Sequence, residues 1–244
     1  MSDFWSFQNN SNNGRDLWIL CEIAARESWW SDVVTPKRFI RDLNSGSGDL
    51  TVWIDSPGGD AFAGAAIYEA LRSYSTSGKG KVNVNIIGLA ASAAGLIAMA
   101  GDEVRISLVG TFMLHDPWSY LSGNAKQLRA TADVLDEIRE GQIRAYMRKS
   151  GKTHDEVLAL IEDQGTYMNA QTAIKNGFAD SILNEDGSGK EWMKAAANVR
   201  VSSCLERETD YLQAYVASKT DPEPNPENND NEMRALFRAC FEEE

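Results

Sequence analysis

The sequence predicts an α/β fold built on a mostly parallel sheet. Between residues 17 and 183, short apolar segments typical of strands alternate with segments whose apolar residues recur at helical spacing. Two of the strand segments pass through glycine or small residues directly into a helix, as in βαβ units. A chain of 244 residues is long enough to bury a substantial core without disulfides or metals.

The first half of the chain contains three predicted strands, each followed by a predicted helix. Thr35 and Pro36 favour a helix start, and SGSGD ends that helix after Leu43. Phe39 and Leu43 should face inward. The predicted elements are, in order, strand Leu17–Ile23, helix Thr35–Leu43, strand Thr51–Asp55, helix Ala61–Tyr74, strand Val82–Gly88 and an alanine-rich helix within Gly88–Gly101.

The second half begins with two short strands and continues with helices. Apolar residues recur near one face of a long amphipathic helix, at Leu128, Leu135, Ile138, Ile143 and Tyr146. An asparagine N-cap and a glycine stop delimit a later helix. The predicted elements are strands Glu103–Ser107 and Thr111–His115, helix Ala125–Arg148, a helix from His154, helix Asn169–Gly177 and strand Phe178–Leu183.

The polar ends of the chain define the predicted domain boundaries. Residues 1–16 are Asn-rich and are expected to form a disordered arm, followed by one domain over residues 17–184. A helical extension is expected over residues 185–220 and an acidic disordered tail over residues 221–244. The tail holds eight acidic residues and two arginines, so it carries 2 − 8 = −6 of the net charge of −12.

Composition excludes several classes of protein. A net charge of −12 argues against nucleic acid or an anionic membrane as the main partner. The three cysteines are far apart, which predicts neither a disulfide framework nor a zinc site and fits a reducing cytoplasm. The N-terminus lacks a signal-peptide pattern, and no apolar run reaches membrane-spanning length. We therefore expect a soluble cytoplasmic protein with no metal and no cofactor.

The stretch IDSPGGDAFAG leaves a predicted strand at Asp55, turns through Pro57-Gly58-Gly59 and enters a helix near Ala61. Two adjacent glycines leave their N–H groups unscreened, and exposed backbone donors at a helix start can bind an anion. An ordinary strand-to-helix turn is the simpler interpretation of this stretch alone. A phosphate-binding loop does not fit, because the Lys-Ser/Thr pair and the third glycine of the nucleotide motifs are absent.

The stretch GLAASAAGLIAMAG places a single hydroxyl, that of Ser92, at the start of a helix. A lone serine among alanines is usually a packing residue. Here, however, the Ala93 N–H lies beside the hydroxyl, and the positive end of the helix favours negative charge. Acyl transfer needs a nucleophilic oxygen with donors that face the developing oxyanion. The small neighbours would also let a substrate backbone approach Ser92 closely.

A serine nucleophile needs a base, and the chain contains only two histidines. His154 lies at a helix start in GKTHDEV and is most simply a capping or surface residue. His115 ends the apolar strand FMLH just before Asp-Pro, at a strand end where side chains of α/β sheets meet ligands. Along the chain, a Gly-Gly turn is therefore followed by a serine among small residues and then by a histidine at a strand end.

These motifs resemble the Clp protease proteolytic subunit family. The resemblance covers about Leu17 to Leu183, in the right order and spacing. The matching stretches are SPGGDAFAGAAIYEAL at Ser56–Leu71, GLAASAAG at Gly88–Gly95, MLHDP at Met113–Pro117 and AIKNGFADSI at Ala173–Ile182.

The resemblance implies a Clp-protease/crotonase-like fold, with stacked βαβ units and a protruding long helix that packs rings face to face. It implies a serine endopeptidase with Ser92 as nucleophile and His115 as general base. The N–H groups of Gly59 and Ala93 would form the oxyanion hole. The predicted substrate-binding residues around them are Gly58, Asp60, Met113 and Asp116.

One position departs from the family pattern. An acidic residue that orients the histidine is expected a few residues before the helix Asn169–Gly177, and Gly165 occupies that position when the segment is aligned without gaps. The nearest carboxylates are those of Glu162 and Asp163, and a loop shifted by two residues would bring Asp163 to His115. We therefore predict Asp163 as the third catalytic residue, with a Ser–His dyad as the alternative.

The segments flanking the motifs look more like the phage branch of the family than the housekeeping subunit. That branch implies prohead maturation in the bacterial host cytoplasm, with capsid or scaffold polypeptides as substrates. The resemblance also implies a homo-oligomer of heptameric or stacked rings and, for a housekeeping-type subunit, an ATP-dependent unfoldase as partner. Neither nucleic acid nor membrane is expected to bind.

Two further functions remain open from the sequence. A crotonase-type enzyme would use the same pair of N–H groups on a thioester enolate, but it would have no need of a serine–histidine pair. A non-catalytic or weakly active ring component would keep the assembly after loss of its acid.

Overall fold

An eight-stranded, mostly parallel sheet carries the fold of the residues that the structure describes. The structure is a computed structural model that describes residues 7–9, 14–23, 36–162 and 165–183. All of these residues belong to one contact unit, Met1–Cys204. The α/β class predicted from the alternation of strands and helices is confirmed.

The elements follow the predicted order closely. They are β1 Gln8–Asn9, β2 Arg15–Ile19, α1 Pro36–Asn44, β3 Leu50–Ser56, α2 Ala61–Thr76, β4 Val82–Ala91, α3 Ala93–Ala98, β5 Glu103–Ile106, β6 Thr111–Leu114, α4 Ala125–Ser150, α5 His154–Ile161, β7 Thr166–Asn169, α6 Ala170–Lys175 and β8 Ser181–Ile182.

The strand order is β1-β2-β3-β4-β5-β8, with β6 and β7 off this path. The long strand β4 pairs with two strands in turn. Its first half, Asn83–Ile86, runs parallel to β5, and its last three residues, Leu89–Ala91, run parallel to β6. The carboxyl ends of β3, β4 and β6 therefore lie side by side.

A large apolar cluster joins the sheet to its helices in the described part of the chain. Phe39 and Leu43 of α1 are buried as predicted. Phe112 of β6 stacks on Phe178 with ring centroids 5.2 Å apart, and Tyr146 of α4 meets both rings edge-on. This aromatic cluster connects β6, the inner half of α4 and the segment after α6.

The N-terminal arm differs from its prediction. Residues 1–16 were expected to be disordered, yet β1 pairs with β2, and β2 begins at Arg15. The charged groups there have partners, since Arg15 donates to the Leu43 carbonyl at 2.7 Å and Asp16 accepts from the Trp53 indole at 3.2 Å. Because these contacts join residues far apart in sequence, local composition does not reveal them.

Several strands also differ from the prediction. The first predicted strand, Leu17–Ile23, is replaced by Arg15–Ile19. β4 continues to Ala91, so the helix within Gly88–Gly101 is limited to Ala93–Ala98. The antiparallel strand β7 was not predicted. The predicted last strand, Phe178–Leu183, is reduced to Ser181–Ile182.

Several predictions concern residues outside the described part. Thr35 as the N-cap of α1, Asp163, the helical extension over residues 185–220 and the tail over residues 221–244 all lie there. Among the helices within the described ranges, none combines the length and apolar character needed to cross a bilayer.

Candidate active site

The register of three parallel strands brings the sequence motifs together. Ala90 of β4 pairs with Ser56 of β3, and Ala91 pairs with Met113 of β6. Ser92 therefore follows β4 at the same edge where His115 follows β6 and the Gly-Gly turn follows β3. The juxtaposition expected at the carboxyl ends of parallel strands is present.

Ser92 occupies a strained backbone position between β4 and α3. Its φ is 54° and its ψ is −123°, and it is the only non-glycine residue with a positive φ among the described residues. Such conformations cost on the order of 1–3 kcal/mol and cluster at functional sites. The Ser92 N–H donates to the Met113 carbonyl at 3.0 Å, which ties the turn to β6.

The Ser92 hydroxyl does not cap the helix that it precedes. Serine at an N-cap normally accepts a hydrogen bond from the first turn, but the Ser92 side chain makes no such bond. Instead, Ser92 Oγ lies 2.8 Å from His115 Nε2. With the imidazole neutral and Nε2 unprotonated, the hydroxyl donates to that nitrogen, as nucleophile activation requires.

The surroundings of His115 keep its imidazole neutral. Burial lowers the pKa of His115 below its ordinary value. The negative charge of Asp116 and a hydrogen bond to the Asp116 backbone act in the opposite direction but do not cancel this effect. A neutral imidazole at pH 7 is the form in which a histidine accepts a proton.

The Gly-Gly turn packs directly against the serine. A Cβ at Gly58 would lie 2.7 Å from the Ser92 Cβ and 2.9 Å from the Ala93 nitrogen, so no other residue fits without movement. Gly58 and Gly59 also have φ values of 96° and 143°. Within the described residues, neither the N–H of Gly59 nor that of Ala93 donates a hydrogen bond to the protein.

The predicted substrate-binding residues have contacts within the protein as well. The Asp60 carboxylate accepts from the Ala63 N–H at 2.7 Å and caps α2. The Met113 side chain is buried, and its carbonyl holds the Ser92 N–H. Asp116 lies 3.5 Å from Arg139 of α4. Contact of these residues with substrate stays a prediction.

The residue aligned with the orienting acid is pressed against the histidine. Leu114 pairs with Thr166 across the antiparallel β6–β7 ladder, so Gly165 comes opposite His115. A Cβ at Gly165 would overlap the Cβ of His115, and the φ of Gly165 is 76°. Position 165 therefore carries backbone only. Asp163, the predicted third residue, lies outside the described residues.

The second histidine lies on the surface, in agreement with its predicted role. His154 is the first residue of α5, and its ring nitrogens lie 3.3 Å from Asp155 and 3.2 Å from Glu140. Hydrogen bonds to these carboxylates raise the pKa of His154. Across the described ranges, no group of three His, Cys, Asp or Glu residues is placed to hold a metal ion.

Arg139 is a residue near the site that the sequence analysis missed. Its guanidinium reaches Asp116, the neighbour of His115. Arg139 lies on α4, 23 residues after Asp116 in the sequence. The only local signal was an arginine three residues after Asp136 on a charged helix, which is common on solvated surfaces.

Comparison with known proteins identifies the family of this chain. The family model described as Clp protease matches residues 24–186, which are 163 of the 244 residues. A relative in Deinococcus radiodurans, the ATP-dependent Clp protease proteolytic subunit, is 24% identical over 161 residues. That match covers 65% of this chain and 76% of the relative.

Proposed function

Because the chain belongs to the Clp protease family, a family of serine-type peptidases, we propose that it hydrolyses peptide bonds with Ser92 as nucleophile and His115 as general base. One observation carries this proposal: the hydroxyl of a strained serine is bonded to a partly buried imidazole at 2.8 Å instead of capping its helix. A packing serine would need neither the strain nor the histidine.

The proposed mechanism follows from the positions of these groups. Ser92 Oγ attacks the peptide carbonyl carbon while its proton moves to His115 Nε2. The resulting oxyanion accepts hydrogen bonds from the N–H groups of Gly59 and Ala93. The imidazolium then donates its proton to the leaving amine, and water hydrolyses the acyl-enzyme by the same route. No cofactor enters any of these steps.

The rate of the proposed hydrolysis depends on whether an acidic residue orients His115. Asp163 is our proposed orienting acid. Loss of the orienting acid from a complete triad lowers the rate by roughly 10⁴, although catalysis remains well above the uncatalysed reaction. Gly165 opposite His115 supports the alternative of a weakly active or non-catalytic ring component, because the family position for the acid cannot hold a side chain here.

The proposed assembly is a homo-oligomeric ring. Clp proteases form oligomeric rings, and several apolar side chains on and beside the outer half of α4 are exposed in the single chain. These are Phe62, Leu128 and Val134. An ATP-dependent unfoldase is a proposed partner, since the Deinococcus radiodurans relative is named as part of an ATP-dependent protease.

The narrower proposal is a prohead maturation protease in the bacterial cytoplasm that cleaves capsid or scaffold polypeptides. It rests on the sequence around the motifs, such as SWWSDVVTPKRFIRDL, which resembles the phage branch. Under this proposal, the acidic segment after residue 220 serves in packaging or docking. Incubation with purified capsid and scaffold proteins tests this substrate class directly.

Labelling with a fluorophosphonate probe tests the proposed function. The wild-type protein should be labelled and should hydrolyse peptides, whereas Ser92→Ala should abolish both while leaving assembly intact. Ser77→Ala, at an exposed serine near the end of α2, is the matched control and should keep full labelling. Undiminished hydrolysis by Ser92→Ala would end the serine-peptidase proposal, and an unlabelled wild type would favour the non-catalytic component.

A further inference from the structure

The residue next to the proposed base is held from two other elements. The Asp116 N–H donates to the Ile161 carbonyl at the end of α5, with a distance of 3.1 Å. The Asp116 carboxylate lies 3.5 Å from the guanidinium of Arg139 on α4. Asp116 is therefore fixed by α5 through its backbone and by α4 through its side chain.

Arg139 is itself anchored before it reaches Asp116. Its other terminal nitrogen lies 2.8 Å from Asp136, three residues earlier on the same helix. The arginine side chain is about a quarter exposed, and its Nε is buried without a hydrogen-bond partner in the described part of the chain. These two contacts direct the guanidinium toward Asp116 and Asp136.

The Asp116 carboxylate in turn acts on the imidazole. Its negative charge favours the protonated form of His115, which is the form that appears as Ser92 attacks. Other charged groups must be considered as well. From α4 these are Arg139 and Asp136, Gly165 beside His115 carries no side chain, the turn between β4 and α3 contributes the Ser92 hydroxyl, and Asp163 lies outside the described residues.

We propose that Arg139 is a positioning residue for the proposed hydrolysis, which holds the Asp116 carboxylate beside the His115 imidazole and so couples α4 to the Ser92–His115 pair. The inference rests on the proposed function. It gives α4 a role in the reaction although no α4 residue touches Ser92 or His115 in the described hydrogen bonds.

The proposal predicts the direction of change in the His115 pKa. Without Arg139 the Asp116 carboxylate turns toward solvent, and the imidazolium loses a stabilising charge. Arg139→Ala should therefore lower the pKa of His115 by about half a unit, and Asp116→Asn should lower it by a similar amount. Arg139→Lys, which keeps the charge, should restore most of the wild-type pKa. Simple charge screening by Arg139 would have the opposite effect, since loss of a nearby cation raises a histidine pKa.

The titration can be followed by NMR of labelled histidine in the full-length protein. Only two histidines are present, so His154→Gln identifies the His115 signal in every background. Arg144→Ala is the matched control, because Arg144 is exposed on the same helix and has no ion pair in the described part of the chain. It should leave the titration of His115 unchanged.

Kinetics supply the second readout. Arg139→Ala should reduce kcat roughly fivefold with KM unchanged, a size typical of coupling between charged residues in contact. Combined with Asp116→Asn, it should have no further effect, because the arginine acts through that carboxylate. An unchanged His115 pKa, a raised one, or additive losses in the double variant would overturn the role of Arg139. Failure of the proposed function is distinguishable, since it would appear as a wild type that the probe does not label.

Discussion

At the scale of single residues, Ser92 combines two features that a structural serine lacks. Its backbone has a positive φ, and its hydroxyl is bonded to His115 across the ends of two strands. A serine at a helix start ordinarily has a negative φ and accepts a hydrogen bond from the first turn, and Ser92 does neither. The surrounding register of β4 and β6 maintains this conformation.

The backbone strain at Ser92 should lower the free energy of unfolding by a measurable amount. Replacement by glycine relieves the strain, whereas replacement by alanine keeps it, so Ser92→Gly should be more stable than Ser92→Ala by about 1 kcal/mol. Urea unfolding of the two variants measures this difference, and both should be inactive. Equal midpoints would mean that the positive φ at this position carries no cost.

The orienting acid is a second question at the residue scale. If Asp163 orients His115, Asp163→Asn should slow acylation by several orders of magnitude, toward roughly 10⁴. Single-turnover kinetics with an activated ester measure this step, and Glu162→Gln, at the adjacent exposed carboxylate, is the control. Acylation that is hardly slower in Asp163→Asn would establish a Ser–His dyad.

Gly165→Asp offers a complementary result. An aspartate at position 165 restores the residue that the family pattern has there. It should not place a carboxylate where it can orient His115, because the Cβ of residue 165 would overlap the Cβ of His115. The variant should lose activity and stability together. A faster enzyme after Gly165→Asp would show that the β6–β7 pairing shifts readily.

At the scale of elements, α4 is divided into two halves. Its inner half is buried through Ile143 and Tyr146, while Leu128 and Val134 on the outer half are 45% and 51% exposed. Asn124 and Gln127 form a capping box, which lets the outer half start as a helix without packing. The sequence pattern grouped the apolar residues of both halves on one face, but only the inner half contacts the core.

The outer half of α4 is the expected contact between subunits. Val134→Glu places a charge in the apolar groove of about 640 Å³ that α2 and α4 form, and it should reduce the mass of the native particle. Ala130→Glu, at an exposed position on the same helix, is the control. Native mass spectrometry distinguishes the two, and an intact particle in Val134→Glu would exclude this face from assembly.

At the scale of the whole molecule, the aromatic cluster of Phe112, Tyr146 and Phe178 joins parts that are far apart in sequence. Burial raises the pKa of Tyr146, which stays neutral in the core. Phe112 lies two residues before Leu114, the last residue of β6, so the cluster also supports the strand that presents His115. Fold stability and the position of the base are thus connected.

Phe178→Ala tests this connection. Removal of a fully buried phenylalanine should reduce the free energy of unfolding by about 3–5 kcal/mol. Phe62→Ala, at a side chain that is 66% exposed, should change it by less than about 0.5 kcal/mol in the dissociated chain. Urea unfolding below the assembly concentration measures both, and similar losses in the two variants would contradict the proposed cluster.

The sequence by itself determined the order of the helices and strands other than β1 and β7, and it determined the residues of the proposed catalytic pair. The signals are local, because each lies within one segment of the chain. They are the hydrophobic periodicity, the helix caps and the small residues around Ser92. Only the tertiary structure decided which strands are neighbours. The pairing of β6 with the last residues of β4 brings His115 to Ser92, the antiparallel strand β7 sets Gly165 against His115, and the approach of α4 brings Arg139 to Asp116. These contacts depend on which distant segments pair and pack together, and the pattern of hydrophobicity and charge within one segment does not specify its partner.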